Sequence, residues 1–121
     1  MTVKECYQAM GGDYEDAIGR LRTDERVLRF LGKVADDGSF SLLQSALAAH
    51  NIQEAFRAAH TLKGICMNLS LTRLAASAHA ITEALRGRET YGDDLAPLMA
   101  AVSADHEQTV RAIRACAAAQ N

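Results

Sequence analysis

The sequence predicts an all-α fold: an antiparallel four-helix bundle with two short N-terminal helices covering one end. Composition is the first observation, because 49% of the 121 residues are hydrophobic while only 5% are aromatic and one is Pro. Ala and Leu supply most of the apolar side chains, and both favour helices. The second observation is their spacing, since apolar residues recur every three or four positions. Capping residues, the third, divide the chain into segments of helical length.

Two short helices are predicted at the start of the chain. Thr2 and Glu5 have the spacing of a capping box, and Gly11-Gly12 ends the helix that they begin. Asp13 is placed to cap the second helix. The apolar positions of that helix are Tyr14, Ala17, Ile18 and Leu21.

The segment that follows predicts one long helix. Thr23 precedes two acidic residues, which suit the positive end of a helix. Its apolar positions are Val27, Leu28, Leu31, Val34, Ala35, Leu42, Ala46 and Ala49. These positions cross Asp36–Ser39 without losing phase, so we predict a continuous helix rather than two helices with a turn. Gly38 weakens it, because an interior glycine costs about 1 kcal/mol.

A fourth capping signal begins the next helix, where Asn51 is followed by Glu54. The apolar positions of this helix are Ile52, Ala55, Phe56, Ala59, Leu62, Cys66 and Leu69. We predict a tight joint at its end, with Ser70 or Thr72 as the cap of the following helix.

Two helices remain. The first has the apolar positions Leu71, Leu74, Ala78, Ile81 and Leu85 and ends at Gly87. The polar stretch 86–92 contains two glycines and is predicted as a loop. Asp93 or Asp94 then begins the last helix, which runs toward Ala117.

Charge, cysteine content and length exclude several classes of protein. The 13 basic and 15 acidic residues give a net charge of −2, unlike a strongly basic nucleic-acid binder. Cys6, Cys66 and Cys116 have no spacing that indicates a disulfide framework or a zinc site. No apolar run approaches the ~20 residues of a membrane span, and the first residues lack a signal-peptide core. We therefore expect a cytoplasmic monomer with a single domain, 1–121, that binds neither nucleic acid nor membrane.

His60 is the residue that most indicates chemistry. At ~100° per residue, it lies about 120° from the centre of the apolar stripe of its helix, on an accessible flank. Lys63 follows one turn later on the same side. Gly64 leaves a gap beside the histidine, although a glycine there costs helix stability and packs against nothing.

This arrangement fits an imidazole that accepts a phosphoryl group. A neutral imidazole, with a pKa near ~6.5, is a competent nucleophile. The dianionic product would lie beside Lys63 and near Arg57 or Arg86, and the gap at Gly64 would admit a partner's active site. Spacing alone leaves an ordinary surface histidine beside a tolerated glycine as the more common situation.

The run from Arg57 to Gly64, Arg-Ala-Ala-His-Thr-Leu-Lys-Gly, resembles the signature of histidine-containing phosphotransfer (HPt) domains. The similarity covers most of the chain and includes Gly12-Asp13, Leu21, Val27 to Leu31, Leu42 to Leu47, Asn51, Asn68-Leu69 and Leu74. The His-x-Leu-Lys-Gly core is fairly specific when it stands in the middle of a helix of a bundle this size.

The resemblance implies that His60 is the phosphoacceptor, that Lys63 holds the phosphoryl group and that Gly64 keeps the site open. It implies a phosphocarrier rather than an enzyme, exchanging phosphate with a response-regulator receiver domain and a sensor or hybrid histidine kinase. No cofactor or metal of its own is expected, because the receiver supplies Mg²⁺ and most of the transition-state electrostatics.

Four positions depart from the family pattern. The family commonly has small residues where Met67 and Ser70 stand, and Leu-Glu where this chain has Ile81-Thr82. Met67 shares the side of His60, so it would narrow access or offer an apolar contact to a partner. Ser70 alters the residue at the tight joint.

The helix after the joint carries His79, Thr82 and Arg86 on one side. If this side faces His60, Thr82 would hydrogen-bond the imidazole and Arg86 would meet the phosphoryl group. Together with Arg57 and Met67, these residues complete the candidate site.

Two rival functions remain open. One is a helical adaptor that binds receiver domains without being phosphorylated. The other is a metal-binding bundle that uses His60 and His79, for which the sequence shows no third ligand. A further choice concerns Val3, Tyr7 and Met10 of the first helix, which either belong to the core or join Met67 in an apolar patch beside the histidine.

Overall fold

The computed structural model describes residues 1–120, and that part of the chain folds into seven helices without a strand. The helices are α1 (Val3–Met10), α2 (Tyr14–Leu21), α3 (Asp24–Asp36), α4 (Ser39–Ala48), α5 (Ile52–Asn68), α6 (Thr72–Leu85) and α7 (Leu95–Gln120). The predicted all-α class is confirmed, and the exact antiparallel four-helix arrangement stays a prediction.

The helices pack as a bundle around α5, α6 and α7. α5 lies between α4 and α6, α6 also packs on α7, and α7 in turn contacts α3 and α1. The largest side chains buried in the core include Tyr7, Met10, Leu31, Leu43, Leu71, Leu74, Ile81, Leu85 and Leu95. Small residues fill the rest, which explains how a chain with few aromatic residues forms a close-packed interior.

The N-terminal helix α1 lies along the C-terminal half of α7. The Gln108 amide donates to the carbonyl of Ala9 at 2.9 Å, and Val3, Tyr7 and Met10 are all buried. These three apolar residues therefore belong to the core. The alternative, a patch that they would form with Met67 beside the histidine, is wrong.

The turn between α1 and α2 docks on the joint between α5 and α6. Gly11 has a φ of 69°, which favours glycine, and its carbonyl accepts from the Arg73 amide at 3.1 Å. The Asp13 amide donates to the carbonyl of Ser70 at 2.9 Å. A Cβ at Gly12 would lie 2.9 Å from that same carbonyl oxygen, so the close approach requires glycine.

The α5–α6 joint is held by Ser70 in a left-handed conformation, with a φ of 55°. Its hydroxyl donates to the Asp16 carboxylate and accepts from the Arg20 guanidinium at 2.6 Å. The Leu71 amide donates to the carbonyl of Cys66 at 2.9 Å, which closes the end of α5. The prediction that Ser70 or Thr72 caps α6 is wrong, since Leu71 stands at the cap position without a side-chain bond.

The long helix predicted from Thr23 to Ala49 is broken in the structure. α3 ends at Asp36, and Asp37 adopts an extended conformation with a ψ of 136°. The Asp37 carboxylate accepts from the Ser39 amide at 2.8 Å, and this local bond favours the turn over a continuous helix. The break also changes the buried side, since Leu42 and Ala49 of the predicted stripe are exposed while Leu43 and Leu47 are buried.

His106 of α7 stacks on Phe40 of α4, with ring centroids 3.9 Å apart and planes at 6°. Burial lowers the pKa of His106, while the Asp37 carboxylate acts in the opposite direction. The unfolded chain therefore binds a proton here more readily than the folded chain. It follows that the free energy of unfolding falls as pH decreases below the ordinary value of 6.5.

We expect His106→Phe, which keeps an aromatic ring against Phe40, to weaken this pH dependence. Denaturant unfolding at about pH 7.5 and about pH 5.5 measures it, because 6.5 is the ordinary histidine pKa. The wild type should lose more stability at the lower pH than the variant does. Equal losses in the two proteins would contradict the lowered pKa of His106.

Candidate functional site

The imidazole of His60 is exposed near the middle of α5. Its neighbours Ala59 and Leu62 are 0% and 2% exposed, so the histidine occupies the boundary between the buried and accessible sides of the helix. α5 forms because Asn51 caps it: its side chain accepts from the Glu54 amide at 3.2 Å. The helix therefore presents His60 from a rigid element rather than from a loop.

Open space surrounds the helix backbone at Gly64, one turn after His60. A Cβ built on Gly64 meets no atom within 4 Å outside its own helix, so the residue is not required by packing. The φ of Gly64 is not in the left-handed region either. Neither packing nor backbone conformation requires a glycine at this position. Its physical consequence is an accessible helix surface.

Lys63 is half-buried, and its ammonium reaches across to α6. Its Nζ lies 3.4 Å from Nδ1 of His79, and because an ammonium only donates, this nitrogen acts as the acceptor. The structure thus brings Lys63 and His79 together. In this conformation the positive charge of Lys63 lies beside α6.

Phe56, which the sequence assigned only to the apolar stripe, belongs to the site. Its ring stacks on the His60 imidazole, with centroids 6.0 Å apart and planes at 22°. The Arg86 guanidinium carbon lies 5.1 Å from the centroid of the same phenyl ring. Phe56 is therefore the common neighbour of His60 and Arg86, and its position four residues before His60 is the signal that could have identified it.

Both arginines of the candidate site are ion-paired. Arg57 lies 3.0 Å from Glu54 on α5, and Arg86 lies 2.9 Å from Glu83 at the end of α6. The hydrogen bond from Arg86 holds the pKa of Glu83 below its usual range, and the charge of Lys63 also contributes. Sequence reasoning missed Glu83, although its spacing to Arg86 is that of a helical ion pair.

Thr82 is not in the position that the helical wheel suggests. Its side chain is 0% exposed, and its hydroxyl donates to the carbonyl of Ala78 at 2.6 Å. The predicted hydrogen bond from Thr82 to the imidazole of His60 is therefore wrong. The packing of α6 against its neighbours sets the orientation of Thr82, because it turns this side chain into the core and leaves His79 exposed.

Met67 extends the accessible side of α5 beyond Gly64. It is 58% exposed, the highest value among the large hydrophobic side chains that the structure leaves accessible. Because Val3, Tyr7 and Met10 are buried elsewhere, it stands on this side without them.

Metal binding gains no support from residues 1–120, where no group of three His, Cys, Asp or Glu side chains is arranged to hold an ion. All three cysteines are unpaired and buried, and burial raises the pKa of the Cys66 thiol to about 12. Such a thiol is a packing residue rather than a nucleophile. None of the helices described is long and apolar enough to cross a membrane.

Comparison with known proteins gives one finding. A family model described as Hpt domain matches residues 29–117, from the second half of α3 through most of α7. Comparisons with curated proteins and with solved structures give no match. The matched segment contains every residue of the candidate site, from Arg57 to Arg86.

Proposed function

Because the chain belongs to the Hpt domain family, we propose that it is a phosphocarrier that accepts a phosphoryl group on His60 and exchanges it with a receiver-domain aspartate. Members of this family act in histidine phosphotransfer in two-component phosphorelays, with receiver domains and histidine kinases as their partners. The observation that carries the proposal is an exposed imidazole in the middle of α5 beside the open space at Gly64.

The proposed step is a direct exchange. The lone pair of one His60 nitrogen attacks the phosphorus of the aspartyl phosphate, and the bond from phosphorus to the carboxylate oxygen breaks. The aspartate leaves as a carboxylate, the new P–N bond forms, and the other ring nitrogen keeps its proton. In this step the receiver supplies Mg²⁺, and because the phosphoryl group on His60 is passed on to a partner, the chain acts as a carrier rather than as an enzyme.

Cations beside His60 support the proposal. Lys63 is one turn away on α5, and Arg86 lies on the ring that stacks on the imidazole. A phosphohistidine carries a charge near −2, which such groups stabilise. Gly64 leaves room for the partner, and the exposed Met67 offers it an apolar contact.

In this function residues 1–121 form one domain that works in a reducing compartment such as the cytoplasm. The three unpaired, buried cysteines fit that setting.

The test is to incubate the protein with phosphorylated receiver domains and to map any phosphate by mass spectrometry. We expect an acid-labile, hydroxylamine-sensitive phosphoryl group on His60. Binding without any label would instead support the adaptor function. Phosphate on another residue, or none with any receiver of the same genome, would contradict the phosphocarrier proposal.

A further inference from the structure

Arg86 is linked to the phosphoacceptor by Phe56 rather than by direct contact. The guanidinium lies over the phenyl ring, and the same ring stacks on the His60 imidazole. Arg86 stands at the end of α6, where its backbone caps the helix, so only the side chain is free to move. Arg86 and His60 therefore share one aromatic neighbour, lying 5.1 and 6.0 Å from the centroid of the Phe56 ring.

Glu83 occupies this guanidinium before any phosphoryl group arrives. Its Oε2 lies 2.9 Å from one terminal nitrogen of Arg86 and accepts from Nε at 3.0 Å, which is two-point contact. The carboxylate also lies near Lys63, whose charge helps to keep it ionised. The acid thus competes with a phosphorylated His60 for the same cations.

The other arginines nearby are held differently. Arg57 pairs with Glu54 along α5, and Arg88 grips Asp94 with two nitrogens at 2.7 and 2.9 Å. Neither guanidinium lies over the ring that contacts the imidazole, whereas Arg86 does. Arg86 is therefore the cation whose pairing bears most directly on His60.

We propose, on the basis of the function proposed above, that Glu83 is a positioning residue. It keeps Arg86 ion-paired and so sets how strongly His60 retains a phosphoryl group. The side chains of Arg86 and Glu83 are 53% and 46% exposed, and ion pairs this exposed are weak. A phosphoryl group with nearly two negative charges displaces the single carboxylate from Arg86. Because Arg86 must first leave the carboxylate, the phosphoryl group is stabilised less than it would be by a free guanidinium. This keeps transfer onward to a receiver favourable.

The experiment compares Glu83→Gln with the wild type after phosphorylation by phosphoramidate, a small donor that requires no docking partner. We expect the equilibrium of exchange with a receiver to shift about two- to fivefold toward phosphorylated His60, the range for an exposed ion pair. The ³¹P NMR titration of the phosphohistidine should also move to lower pH, because the freed guanidinium favours the dianion. Thermal stability should change little.

Two further variants isolate the role of Arg86. Glu107→Gln removes an exposed acid from the ion pair with Arg111 on α7 and should leave both measurements at wild-type values. In an Arg86→Gln background, Glu83→Gln should lose most of its effect. An undiminished effect in that background, or none in the wild type, would overturn the proposal for Glu83. Failure of wild-type His60 to be labelled would instead contradict the phosphocarrier function itself.

Discussion

Replacing His60 with Gln should abolish phosphoryl labelling by a phosphorylated receiver. Glutamine is similar in size and keeps a polar group on the exposed flank of α5, but its amide nitrogen has no lone pair available for attack on phosphorus. The fold should be unaffected, because the imidazole is exposed and its stacking on Phe56 is offset. Labelling with radioactive phosphate, together with circular dichroism of the variant, measures both effects.

His79→Gln is the matched control for this experiment. His79 is also an exposed histidine, it lies on the adjacent helix, and it contacts Lys63. We expect this variant to keep its label, with at most a modest change in the rate. Label that persists on His60→Gln, or that disappears on His79→Gln alone, would show that the acceptor is misassigned. If His60→Gln is unlabelled but still binds the receiver, His60 is required to carry phosphate and not to dock.

Replacing Gly64 with Gln should slow phosphotransfer by about 100-fold, the scale of effect that a misplacement of about 1 Å produces in a reacting pair. The new side chain would occupy the open space beside His60 and hold the partner's aspartyl phosphate away from the imidazole. The same change should stabilise α5 by about 0.5 kcal/mol, because Gln is a better helix former than Gly. Time courses of phosphotransfer, quenched at intervals, measure the slower transfer, and thermal denaturation measures the gain in stability.

Gly32→Gln provides the comparison for the glycine experiment. Gly32 lies within α3, is partly exposed, and likewise has no atom within 4 Å of a built Cβ outside its own helix. We expect the same small gain in stability and a wild-type rate of transfer. If Gly64→Gln and Gly32→Gln transfer phosphate equally fast, steric access is not the role of Gly64.

Local signals in the sequence predicted most of the fold because they act over three or four residues. Thr2, Asp13, Thr23 and Asn51 each cap the helix that they precede. The break at Asp37 was missed because the apparent phase of the apolar positions outweighed a turn signal. That phase was misleading, since Leu42 and Ala49, which continue it, are exposed in the structure.

The candidate site was predictable where it depends on one helix and less so where it depends on two. Lys63 and Gly64 share α5 with His60, so the helical wheel is sufficient to place them. Thr82 was misplaced because its orientation depends on how α6 packs, which sequence spacing does not determine. Phe56 and Glu83 were missed for a different reason: their spacing to His60 and to Arg86 was available, but Phe56 was assigned only to the apolar stripe and Glu83 to no role.

The Arg20 side chain of α2 stabilises the end of the helix that carries the histidine. Its guanidinium donates to the carbonyls of Met67 and Asn68 at 3.2 and 2.8 Å, as well as to the hydroxyl of Ser70. These carbonyls belong to the last turn of α5, which follows directly on the glycine that weakens the helix. A segment outside the matched family region thus tethers the end of α5 most prone to fray, and the helix can keep a gap beside its reactive nitrogen without unwinding.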